Sequence, residues 1–170
     1  MGNKGSRDGS EEKLSEDDKF FIEEDGEDEG MDDFLRVNLS RCIAYAESAK
    51  PQLQREVAEK LANEAVKARR QVQIVELGGL KLLVPLSRSN DLEVRRLSAH
   101  ALANLSVNAT NQILMADLGA IEILIMLLET DSYPVQRQSA KALANLSVNI
   151  RNKEKVAKVS IESSPQKLSF

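Results

Sequence analysis

Between Asp91 and Val107 the apolar residues neither alternate nor run together. Val94, Ala101, Leu102 and Leu105 fall, with Ser98, on one arc of a wheel turned by about 100° per residue. That spacing predicts an amphipathic helix with one buried face. The pattern returns 41 positions later: VRRLSAHALANLSVN, Val94–Asn108, matches VQRQSAKALANLSVN, Val135–Asn149, at twelve of fifteen positions. A fainter copy, LQREVAEKLANEAVK, spans Leu53–Lys67. A second apolar element keeps the same period, because ELGGLKLLVPL from Glu76 falls on DLGAIEILIML from Asp117 without a gap. Repetition at a fixed period of this length is the signature of a stacked solenoid, in which each unit buries its apolar face only against its neighbours.

Breakers and caps divide the unit. Gly78-Gly79 and Gly119 separate a short helix from the apolar one that follows, since glycine turns the backbone without a Cβ clash. Asn90-Asp91 and Asp131-Ser132 supply capping side chains ahead of the long helices, and Pro51 and Pro134 sit where a first-turn proline is tolerated. Each repeat therefore reads as short helix, glycine turn, apolar helix, polar turn, long helix. The segment 34–49 lies in the frame of the apolar helices and is expected as a cap helix, with repeats continuing to 159. Beyond that the frame decays: Ser160 replaces Gly119, and Pro165, Gln166 and Leu168 replace Leu124, Ile125 and Leu127. Residues 160–170 are expected to be irregular, which leaves about two and a half repeats. Such a shortened array has an uncovered last long helix through which copies could self-associate.

A three-helix unit of this length, with glycine at its first turn and ALANLS after D-L-G-A-I-x-x-L-x-x-L-L, resembles the armadillo repeat from about Phe34 to Lys158. The resemblance implies an all-α, right-handed solenoid whose third helices line a concave groove for extended peptides. Within the family the chain is most similar to armadillo-repeat-only scaffolds of the vacuolar or organelle type. It also implies that Asn63, Asn104 and Asn145, which match the family's Asn ladder residue for residue, hydrogen-bond the main chain of a bound peptide. A carboxamide offers an extended backbone both a donor and an acceptor. A second role stays open to the same residues, that of bonding the neighbouring repeat and fixing its register.

One turn before each Asn the chain departs from importin-α-like grooves, which place Trp there. It carries Glu59, His100 and Lys141 instead. Without an aromatic cage a basic peptide has no sandwich to enter. Together with Arg55, Arg96 and Arg137 these positions form ladders that favour acidic or phosphorylated segments, unless they are simply solvated charges.

Charge separates the ends of the chain. Residues 1–33 hold four Lys/Arg against fourteen Asp/Glu, and the rest holds nineteen against thirteen. The acidic run EEDGEDEG has no periodic apolar residues, so 1–33 is expected to be a disordered tail. MGNKGS fits the N-myristoylation pattern with Gly2 as acceptor, and Ser15 before Glu16-Asp17-Asp18 suits an acid-directed kinase. One acyl chain beside so acidic a segment would give only weak membrane contact.

Other chemistries find no support. The basic body lacks Trp and any motif organising it for nucleic acid. DGEDEG, Asp25–Gly30, begins like a calcium loop, but its twelfth position is Arg36 and not the bidentate Glu that calcium needs. Cys42 falls in the apolar frame of Leu83 and Leu124, and His100 faces away from its helix's core side, so the two do not make a nucleophile and base. No metal, nucleotide or other cofactor is implied. A lone Cys and the lack of a long apolar run point to the cytoplasm, at most peripheral to a membrane. The expected function is a non-catalytic scaffold binding an acidic peptide. The alternatives are an acylated, membrane-tethered trafficking or organelle scaffold, and a truncated product without independent function.

Overall fold

A computed structural model describes residues 30–163, and among these every regular element is a helix. In chain order they are α1 (Gly30–Ala46), α2 (Pro51–Ala65), α3 (Ala68–Glu76), α4 (Gly79–Ser87), α5 (Leu92–Leu105), α6 (Ala109–Asp117), α7 (Ala120–Leu128), α8 (Tyr133–Leu146) and α9 (Ile150–Ser163). The helices stack in three columns: α2, α5 and α8 pack side by side, as do α3, α6 and α9, and as do α1, α4 and α7. Each column holds one helix type of the repeat, so the sequence period becomes a translation from one layer to the next.

The core lies between the columns. Leu61, Leu102 and Leu105 from the long helices meet Leu82, Leu83, Leu86, Ile121 and Leu124 from the apolar ones, all fully buried. Each such side chain contributes about 1.5–3 kcal/mol through burial. Ser98 and Ser139 also lie on the buried arc, and their hydroxyls donate to the carbonyls of Val94 and Val135, one turn earlier, at 2.8 and 2.9 Å. A polar side chain survives in the core because its donor is spent locally.

The glycine turns take the form the sequence suggested. Gly78 and Gly119 have φ of 90° and 87°, and α6 and α7 meet at 85° across Gly119. Position 160 carries serine, and there the chain does not turn: α9 continues helical to Ser163, into the segment expected to be irregular. At the other end α1 starts at Gly30, four residues inside the expected tail, and stops at Ala46, short of 49. Asp91 caps α5 by accepting from the Val94 amide at 3.0 Å, whereas Ser132 makes no side-chain cap on α8, so capping from that position is corrected. Pro51 and Pro134 lie in the first turns of α2 and α8.

Two carboxamides that the sequence reading passed over clamp successive layers. Asn111 Nδ2 donates to the carbonyls of Gln71 and Leu105, and Asn152 Nδ2 to those of Gln112 and Leu146. Leu105 and Leu146 end their long helices, where carbonyls lack intrahelical donors, so each Asn satisfies a helix end and joins two short helices in one step. Their recurrence at the repeat spacing was the available signal.

Candidate functional site

The long helices α2, α5 and α8 leave one face open. On α5 it carries Arg96, His100 and Asn104, and Val107 just past the helix end. By helical geometry these four directions span about 80°. The equivalent residues are Arg55, Glu59, Asn63 and Val66 on α2, and Arg137, Lys141, Asn145 and Val148 on α8. None of the twelve is buried in the core. The three helices thus align the residue types into rows that run across the stack.

The cation row is graded. Arg55 donates to Asp91 Oδ2 from Nε at 3.0 Å and from Nη2 at 2.5 Å, bridging α2 to the cap of α5. The Arg55 bonds, helped by the Val94 amide, hold the Asp91 carboxyl below its usual range against the opposing cost of its burial. Arg96 forks onto Glu93 of its own helix at 2.8 and 2.6 Å, and Glu93 is likewise lowered, chiefly by that pairing. Arg137 and Lys141 are exposed and meet no carboxylate among the described residues. His100 is partly buried; desolvation, then the charges of Arg96 and Lys141, push its imidazole below its ordinary value. The positive potential is therefore uncompensated around His100, Lys141 and Arg137, and largely neutralised at Arg55 and Arg96.

The Asn row divides in the same direction. Asn145 Nδ2 donates to Ser106 Oγ at 3.0 Å, and Ser106 in turn donates to the Ala103 carbonyl at 2.8 Å, so Asn145 ties α8 to α5 and holds their register. One repeat earlier the residue in the frame of Ser106 is Ala65, which has no hydroxyl. The Asn104 Nδ2 is accordingly enclosed without an acceptor, and Asn63 is exposed. Only Asn145 makes the register bond; Asn63 and Asn104 make no such bond among the described residues.

A row of valines was missed. Val66, Val107 and Val148 follow the three Asn residues by three positions and are 59%, 56% and 74% exposed. Large aliphatic residues at such exposure, recurring once per repeat, form an apolar edge to the open face. The signal was present in the repeated SVN at Ser106–Asn108 and Ser147–Asn149.

Cys42 is fully buried, and burial pushes its thiol up to about 12, so no thiolate is at hand for nucleophilic chemistry. Among the described residues no cluster of His, Cys, Asp or Glu could hold a metal. No single helix among them is long and apolar enough to cross a membrane. Gly2, Ser15 and most of the acidic run lie outside the described residues.

The armadillo/beta-catenin-like repeat model matches residues 69–107 and 108–148, each segment running from a short helix to just past a long one. No curated protein sequence gives a significant match. Among solved structures, an engineered protein from the Northeast Structural Genomics Consortium is 31% identical with a TM-score of 0.65, over 74% of this chain and 53% of that one. A computationally designed armadillo repeat protein for modular peptide recognition superposes with a TM-score of 0.64 at 21% identity, over 75% of this chain and 57% of that one. A designed armadillo repeat protein in complex with the peptide (KR)4 gives 0.63 at 22% identity, over 76% and 58%. This chain spans a little over half the length of these three structures.

Proposed function

Because the chain is an armadillo-repeat protein, we propose that its open long-helix face is a docking site for an extended acidic or phosphorylated segment of a partner protein. The fold commonly mediates protein and peptide binding and is generally non-catalytic. The observation that carries the choice of partner is the exposed pair Lys141 and Arg137, which meet no carboxylate among the described residues, beside the partly buried imidazole of His100. Carboxylate or phosphate oxygens arriving there gain a charge partner without displacing an internal acid. The designed neighbour that holds (KR)4 shows a basic peptide on the same fold, and the cations here select for the opposite sign. Binding needs no chemistry, only a backbone laid across the Asn row and acids reaching toward the cations.

The test is fluorescence anisotropy with a labelled eight-residue Glu-rich peptide, the protein, and the charge-reversed variant Arg137→Glu/Lys141→Glu. Both residues are exposed, so the fold should tolerate the change. Binding that is lost on reversal and weakens with salt supports the proposal. Equal affinity in both proteins, or no binding at low salt, contradicts it.

A further inference from the structure

The rows across the open face follow a fixed order along each long helix. From Asn104, the rise of the helix places His100 about 6 Å and Arg96 about 12 Å toward the N-terminus, and Val107 about 4.5 Å the other way. A backbone laid over the Asn row therefore has Lys141 and His100, with Glu59 at the α2 end, on one flank and valines on the other. In an extended chain the N–H and C=O groups lie perpendicular to the side chains, and successive side chains point to opposite sides. When the main chain turns its polar groups down toward the carboxamides, its side chains are directed alternately to the two flanks.

We infer that the ligand of this face is an extended segment in which acidic and aliphatic side chains alternate, the acids toward His100, Lys141 and Arg137 and the aliphatics on the shelf of Val66, Val107 and Val148. This rests on the proposed peptide-binding role of the face and adds its specificity. The valines are half exposed or more in all three layers, and among the described residues no helix covers them. An aliphatic side chain on this shelf removes apolar surface from water on both partners. Acid supplies the charge term, and the aliphatic flank fixes which of the two possible side-chain phases is bound. A one-residue shift would set the aliphatics against the cations and the acids against the valines. The exposed Asn63 and the half-buried Asn104 carboxamide provide the main-chain anchors, whereas the Asn145 amide is held by Ser106.

The experiment compares two labelled peptides of equal length and charge, (Glu-Val)4 and (Glu-Ser)4, against the full chain and against the variant Val66→Ser/Val107→Ser/Val148→Ser. The expected result is that (Glu-Val)4 binds the unaltered protein about fivefold tighter or more, the scale set by covering one to two half-exposed valines. That advantage should vanish in the Ser variant while (Glu-Ser)4 is unaffected. The milder set Val→Thr, which keeps the β-branch, controls for any loss of fold and should give an intermediate ratio. Equal binding of the two peptides to the unaltered protein overturns the aliphatic shelf and leaves the acidic docking site standing. An advantage that persists in the Ser variant also overturns it. Binding of neither peptide removes the docking site itself and the shelf with it.

Discussion

Asn145 of α8 reaches back one layer to bond Ser106 at the end of α5, and this contact carries the register of the long-helix column into the last repeat. Ser106→Ala should remove the acceptor and leave a partly buried amide alone, at a cost of about 1 kcal/mol. A double-mutant cycle with Asn145→Ala, followed by urea denaturation, should show coupling of about 0.5–1.5 kcal/mol. Additive losses would mean that the bond contributes nothing.

The earlier layer permits the reverse change. Ala65→Ser places a hydroxyl where Asn104 lacks a partner, so the variant should gain stability and bind an acidic peptide more weakly. Unfolding curves and anisotropy on the same preparation check both halves of that statement.

Gly79 opens α4 under a tight constraint, because a Cβ there would lie 2.5 Å from Ile74 Cγ2 and 2.7 Å from the Ile74 carbonyl oxygen. Gly79→Ala should cost about 1–3 kcal/mol. The next repeat has Ala120 at this position, with unbranched Met115 in the place of Ile74. Adding Ile74→Met should therefore recover part of the loss, and denaturation midpoints of the single and double variants decide it.

Asp91 joins a helix cap to a cross-layer ion pair. Its folded pKa is lowered, chiefly by Arg55, so its contribution is present above the unfolded carboxyl pKa of about 3.9 and is lost as pH falls through the lower folded value. Thermal unfolding of the parent should weaken over that range. Asp91→Asn should be less stable near neutral pH and show a flatter acid limb.

His100 is held neutral by burial and by Arg96 on its own helix and Lys141 on α8; Glu59 occupies the equivalent position on α2. An acidic ligand would oppose those two positive charges and raise the imidazole pKa. Affinity should then increase as pH falls through the ordinary histidine range toward the lowered value of the free protein. Titration calorimetry in two buffers would register the proton uptake, and His100→Gln should abolish it.

Much of the fold could be read from residue spacing. The arc of Val94, Leu102 and Leu105 and the turns at Gly78 and Gly119 gave the helices and their order, because burial and positive φ each leave a local mark. The ends were less legible. Ser160 in place of Gly119 breaks the repeat frame, yet a residue without glycine's freedom simply lets α9 continue. Of the site, the row positions followed from the repeat frame. The pairing of Arg55 with Asp91, 36 residues away, required the stack itself. The division of the Asn row depended on one hydroxyl, present at Ser106 and absent at Ala65, whose partner lies in another layer. Val66, Val107 and Val148 fit an apolar helical pattern well enough to be passed over, and only their exposure set them apart.

The central claim is that the open face of α2, α5 and α8 receives the main chain of an acidic peptide. The most direct measurement is an NMR titration that follows the side-chain amides of the Asn residues as a Glu-rich peptide is added. The account predicts that the Asn104 and Asn63 side-chain signals shift with the backbone amides around His100 and Lys141, while Asn111 and Asn152, bonded within the stack, stay in place. Shifts confined to α4 and α7, or saturation with the Asn104 signal unmoved, would contradict it.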